Sequence, residues 1–111
     1  MSNKKMVFVS VPMNGKEEEE ILRQIQVTEQ KYLNLMGCTL DDVYFYDNHH
    51  ACRNLEIHEP NAGLRYLGIA IGMLANCDAA IFGKGWTKAR GCRIEHMCCE
   101  EYGIPTIQFN E

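Results

Sequence analysis

The sequence predicts an α/β fold: one three-layer domain of the flavodoxin or Rossmann kind, on a parallel sheet of four strands, or five. Three observations lead there. Short β-rich apolar runs alternate with longer helical stripes, giving the order βαβαβαβ. The chain between successive strands is long enough for helical crossovers, which parallel pairing requires and which place helices on both faces of the sheet. Finally, 111 residues that are 46% hydrophobic and 23% charged fit a single core, so one domain spanning 1–111 is expected.

The elements follow in order. "MVFVSV" (6–11) is a continuous β-rich run too short for a buried helix, and Pro12 and Gly15 break it. Asn14 and Glu17 have the spacing of an N-cap and its reciprocal partner, and Ile21, Ile25, Thr28, Tyr32 and Leu35 trace one helical face up to Gly37. The acidic run Glu17 to Glu20 suits the positive end of that helix and needs no ligand. "DDVYFYDN" (41–48) reads as the second strand, with aromatic and β-branched residues between turn formers. The next stretch, "HHACRNLEIHEPNAG" (49–63), has no period and reads as a long loop. Leu64, Leu67, Ile71 and Leu74 form the second helical stripe, with Gly68 and Gly72 placed to let another backbone approach. "CDAAIFGKGW" (77–86) supplies the third strand and its exit loop, Gly91 to Tyr102 the third helix, and "IPTIQF" the last strand.

Sheets of this kind bind ligands at the carboxyl ends of their strands, where strand order reverses. Three loops meet that edge: 10–15, 47–62 and 83–91. On the third helix, Ile94, Met97, Cys98 and Tyr102 recur at spacings that face the sheet, which puts Glu95 on a neighbouring stripe with Gly91 and Cys99, pointing to the rim of the cleft. A carboxylate there can act as a nucleophile or bind a sugar hydroxyl. The structural alternative is a helix-end glutamate paired with Arg90 or Arg93.

Composition narrows the partners. The formal net charge is −4 and the basic residues are scattered, so neither nucleic acid nor an anionic membrane is an expected partner. The first residues carry only a brief apolar run, too short for a signal peptide or a membrane span, and a cytoplasmic location is expected. Six cysteines sit mostly within apolar runs and read as reduced core thiols. His49, His50, Cys52 and His58 lie close in sequence, and His96 lies three before Cys99, but neither group has strong zinc spacing, so no metal and no cofactor are expected.

"VFVSVPMNG", "CDAAIFGKGWTKARGCRIEH" and "YGIPTI" together resemble the nucleoside 2-deoxyribosyltransferase-like superfamily, in particular its small bacterial and phage branch. The resemblance spans nearly the whole chain. It rests on S-x-P-M-x-G near the start and on the later run from Gly85-Trp86 through Ala89, Arg90 and Gly91 to Glu95. It implies that Glu95 attacks the anomeric carbon of a nucleoside or nucleotide, forming a glycosyl-enzyme intermediate that water or a second base resolves. It further implies that Phe8, Ser10, Pro12, Met13, Asn14 and Gly15 lie beside the sugar or phosphate, and that Gly85, Trp86, Ala89, Arg90 and Gly91 border the same pocket. A homodimer or larger homo-oligomer is implied as well.

Departures from the superfamily pattern bear on the chemistry. Phe8 stands where the transferases carry tyrosine, Ala89 where many relatives carry serine, and "YLGIAIGML" offers no acidic residue where the transferases have one. The alternative function is therefore a non-catalytic module that senses or sequesters a nucleotide-derived signal. Asp47, His49, His50 and Asp78 are strand-end candidates for a proton donor, with a structural role preferred for Asp78. Trp86, after two loop glycines, is expected to stack on a base or close over the sugar, with packing on the third helix as the alternative.

Overall fold

The computed structural model describes residues 4–47, 49 and 61–110. The expected loop therefore lies mostly outside the described residues, as do His50, Cys52 and His58. Strands β1 (Lys5–Ser10), β2 (Val43–Asp47), β3 (Ala79–Phe82) and β4 (Thr106–Gln108) form one sheet in the order β2-β1-β3-β4, and every pairing is parallel. Helices α1 (Glu18–Met36), α2 (Ala62–Leu74) and α3 (Arg90–Tyr102) complete a doubly wound, three-layer α/β fold of the Rossmann or flavodoxin kind. Among the described residues no helix is long and apolar enough to cross a membrane.

β1 is central, and its alternation builds both halves of the core. Val7, Val9 and Val11 point to one face, where they join Ile21, Ile25, Tyr32 and Leu33 of α1 and Ile81 of β3. Phe8 points to the other, against Ala70 and Leu74 of α2, Ala80 and Phe82 of β3, and Cys92 and Cys99 of α3. A strand buried on both faces has no polar side to show, which is why "MVFVSV" reads as one apolar run. Asp78 closes the amino end of β3 onto β1: its backbone N–H donates to the Met6 carbonyl at 2.8 Å, and its carboxylate accepts from the Met6 N–H at 2.8 Å. This is the structural role expected of it.

Several local expectations shift. The first helix begins at Glu18, and its N-cap residue is Glu17, with extended backbone and no side-chain cap bond. Asn14 does not cap it. Gly15, at φ 76°, lies instead in a turn in which the Lys16 N–H donates to the Met13 carbonyl at 3.1 Å, so the chain turns once more before the helix starts. Leu35 is 62% exposed and Leu33 is buried in its place. A helix of 19 residues is about 28 Å long and outruns strands of three to six residues, so its last turn overhangs the sheet. Leu64, in the first turn of α2, is likewise exposed, and Ala70 and Leu74 make the buried contact.

Among the described residues nothing packs closely on the paired glycines of α2. A Cβ built on Gly68 or Gly72 meets nothing within 4 Å. Gly83 is the glycine that a close approach requires: a Cβ there lies 2.6 Å from Thr28 Oγ1 and 2.8 Å from Val11 Cγ1. Thr28 is itself buried and held by a hydrogen bond from its hydroxyl to the Gln24 carbonyl at 2.7 Å, so it cannot retreat cheaply.

Two substitutions with opposite signs check this packing. Gly83→Ala is expected to destabilise the fold by about 1–3 kcal/mol through overpacking. Gly72→Ala, mid-helix and facing open space, is expected to stabilise it by about 0.5–1 kcal/mol. Urea denaturation of the two variants beside wild type measures both, and destabilisation by Gly72→Ala would show that something packs on that face after all.

Candidate functional site

Strand order reverses between β1 and β3, because the first crossover leads from β1 to β2 on one side and the second returns across β1 to β3 on the other. The carboxyl ends of these two strands therefore open the crevice at which doubly wound sheets bind ligands. Ser10 is the last residue of β1 and pairs with Phe82, the last of β3. The Gly83 N–H donates to the Ser10 carbonyl at 2.9 Å, carrying the ladder one step into the exit loop. Beyond it, a Cβ on Gly85 would lie 3.6 Å from Pro12 Cγ, so the exit loops of β1 and β3 pack on each other.

Glu95 lies beneath this edge, not at its rim. It is 1% exposed, and its Oε1 accepts a hydrogen bond from the Ser10 hydroxyl at 2.5 Å. The phase read for the third helix is thus rotated. Cys92, Glu95 and Cys99 face inward, whereas Met97 and Tyr102, expected against the sheet, are 59% and 84% exposed. The cause is physical. Counting apolar side chains treats a glutamate as a surface residue, but here a hydroxyl on the neighbouring strand satisfies it, and two small thiols share its stripe. Arg93 is directed elsewhere, its Nη1 donating to the Thr87 carbonyl at 3.1 Å.

The other expected site residues separate into two groups. Pro12 and Met13 are half-buried on the β1 exit loop, with Asn14 and Gly15 exposed beyond them. Gly85, Trp86, Ala89, Arg90 and Gly91 occupy the β3 exit and the start of α3, so both loops do converge on the crevice. Phe8 is fully buried in the core, two residues down the same face from Ser10, and Gly91 lies toward α2, with Leu67 Cδ1 4.0 Å from where its Cβ would be. Trp86 begins a short 3-10 turn (Trp86–Lys88). Its ring stacks on His96 of α3 with centroids 4.4 Å apart and planes at 27°, and tilts against Phe82 at 5.4 Å. This is the packing alternative foreseen for Trp86. His96 also meets Gln108 Nε2 through its Nε2 at 2.9 Å and Glu100 Oε1 through its Nδ1 at 3.3 Å.

Sequence reasoning placed too little weight on two polar features of this edge. Asp47 is the last residue of β2, pairs in register with Val9 and is almost wholly buried. His49 follows it, with Nε2 4.0 Å from Glu18 Oε1 at the start of α1. The electrostatics of the edge are also divided. Lys84, Lys88, Arg90 and Arg93, all exposed, surround the β3 exit, while Glu17, Glu18, Glu19 and Glu20 crowd the start of α1. Strand signals place Asp47 at a strand end, as a candidate proton donor, without showing that it is buried, and charge counting over the whole chain averages the two clusters away. Two open hollows, of about 370 and 500 Å³, lie far from this chemistry, on the flank of α1 near Leu33 and Leu40.

No group of three or more His, Cys, Asp or Glu side chains among the described residues is arranged to hold a metal ion. The described cysteines are free thiols. Burial pushes the Cys92 thiol up to about 12, against an opposing contact from the Ser10 hydroxyl, and the nearby Glu95 charge adds a smaller rise. Burial likewise raises Cys77 and Cys99, each to about 11.

Fold and site together define a doubly wound α/β domain with a buried acid at its topological switch point. No known family, curated protein or solved structure matches the chain.

The raised thiols dictate an alkaline limit. In each case the folded state keeps its proton where the unfolded chain, with an ordinary thiol near 9.0, has lost it. The associated stability is complete below about pH 9 and declines as pH rises through 11 to 12. Melting temperature is therefore expected to fall between pH 9 and 11, and less steeply in Cys92→Ala than in wild type. Equal slopes would remove Cys92 from the cause.

Proposed function

We propose that the chain binds a nucleoside, a nucleotide or a related ribosyl compound in the crevice between the exits of β1 and β3, with Glu95 at its floor. One observation carries this reading: a carboxylate buried at the switch point of a doubly wound sheet and held by a hydroxyl from the central strand. A carboxylate in that place offers strong acceptors for sugar hydroxyls or an attacking oxygen for an anomeric carbon. The divided charge supports an orientation, since the exposed cations around the β3 exit suit a phosphate and the glutamates of α1 repel one. The motif resemblance points to the same ligand class.

In its catalytic form the reading is cleavage or exchange of an N-glycosidic bond by a retaining route. Glu95 displaces the base to give a glycosyl ester, and water or a second base then releases the sugar with the original configuration. In its non-catalytic form the crevice senses or sequesters a nucleotide. A specific observation favours the latter: an attacking oxygen must come within about 3–3.5 Å of its target, and Glu95 is 1% exposed. Either form is compatible with a second copy of the chain completing the crevice, because a four-stranded sheet has little depth to enclose a ligand alone.

Calorimetry and turnover assays with ribo- and deoxyribonucleosides and their 5′-monophosphates, on wild type and Glu95→Gln, test the proposal. If Glu95 is the nucleophile, turnover in the variant falls at least about a thousandfold while affinity holds. If it anchors the ligand, affinity falls about tenfold or more, since charge-assisted bonds outweigh neutral ones. Failure of every compound to bind wild type would sink the reading.

A further inference from the structure

We infer that Ser10 is a positioning residue for Glu95, its buried hydroxyl holding the carboxylate as an anionic acceptor at the floor of the crevice. The catalytic consequence rests on the function proposed above, whereas the arrangement of the pair does not. Ser10 resembles a ligand-binding residue by sequence, since it opens the loop at the crevice. Its side chain is nevertheless fully buried, on the α3 side of β1, where it meets Glu95 and not the crevice opening.

Three features make the contact a device for orienting Glu95. The first is its length: 2.5 Å between Ser10 Oγ and Glu95 Oε1 is at the short end for a hydroxyl donor and belongs to charge-assisted pairs. The second is its foundation. Ser10 is held by the ladder, in register with Phe82 and bonded through its carbonyl to the Gly83 N–H, so the donor sits on the central strand and not on a mobile loop. The third is the neighbour. Cys92, nearly one turn before Glu95 on the same buried face, stays protonated through the neutral range and contacts Ser10. A protonated thiol offers only a weak acceptor, so it competes poorly with the Glu95 carboxylate for the single Ser10 hydroxyl proton.

The direction of that proton defines the role. A carboxylate that accepts from Ser10 is ionised and fit to attack or to bind hydroxyls. A carboxylic acid in the same place, with its proton on Oε1, would donate to Ser10 instead and would be fit to protonate a leaving base. The inferred arrangement assigns Glu95 the first task, so any proton for a departing base comes from another residue.

The test reads Glu95 directly. Side-chain carboxyl carbons of glutamate-labelled protein are titrated by NMR in wild type, Ser10→Ala and Ser10→Thr, with Glu95→Gln assigning the signal. Losing the donor is expected to raise the Glu95 midpoint in Ser10→Ala by about one pH unit, a tenfold change in its protonation equilibrium, and threonine is expected to restore it. A midpoint that stays put or falls in Ser10→Ala overturns the inference. Should Ser10→Ala fail to fold, isotope-edited infrared spectra of wild type at neutral pH decide: an ionised carboxylate band supports the inference, and a protonated carboxyl band defeats it. With any nucleoside or monophosphate that wild type turns over, Ser10→Ala is expected to lose about ten- to a hundredfold in kcat with KM little changed. If the midpoint moves as expected but no such compound binds wild type, the proposed function fails and the positioning role stands.

Discussion

The hydrogen bond from Ser10 to Glu95 joins the central strand to α3 through the interior of the protein, and the rotation of that helix depends on it. A carboxylate taken out of water costs several kcal/mol unless donors replace its hydration. With Ser10 waiting on β1, α3 can turn Glu95 inward. The same turn places Cys92 and Cys99 against Phe8 and Phe82, brings His96 beneath Trp86, and leaves Arg90, Arg93 and Tyr102 facing solvent. Apolar burial alone would favour Met97 and Tyr102 over a glutamate, so the polar contact decides the phase.

β1 supplies that donor because of what lies on its other face. Val7, Val9 and Val11 are occupied by α1, and the strand cannot shift without unpacking them. Gly83 adds a second lock, since Thr28 of α1 comes so near that no side chain fits. The β3 exit loop is thereby drawn onto α1 and onto Pro12, and the two loops of the crevice become one wall. Close packing on the α1 face thus fixes the geometry of the polar site on the α3 face.

These relations explain what was legible in the sequence. The order of strands and helices was, because it depends on local runs: the apolar "MVFVSV", the stripe through Ile21, Ile25, Thr28 and Tyr32, and the left-handed glycines Gly37 and Gly103 that end α1 and α3. The convergence of the loops on one edge followed from the topology. The phase of α3 was not legible, because it is set by a contact between residues 85 positions apart, and no window along the helix contains Ser10. The Asn14 cap failed for a related reason: the spacing to Glu17 was right, but the Gly15 turn intervenes. Gly68 and Gly72 have the spacing of packing glycines, but spacing does not say which way a helix face points, and among the described residues nothing packs closely on them.

A buried glutamate in a small core also carries an argument about purpose. Replacing a buried ion with an apolar side chain of similar volume is often neutral or stabilising, so stability by itself gives little reason for a carboxylate beside Phe8, Phe82 and two thiols. Conflicts between a local choice and the surrounding core tend to fall at functional sites. This one falls at the switch point of the sheet, under the edge where exposed Lys84, Lys88, Arg90 and Arg93 lie around the β3 exit and the glutamates 17–20 at the start of α1. A ligand with an anionic end and a hydroxyl-rich middle matches that gradient from cations to carboxylates. The buried charge and the divided surface are independent features of the chain, one set by a strand-to-helix contact and the other by two loops, and both point to the same crevice.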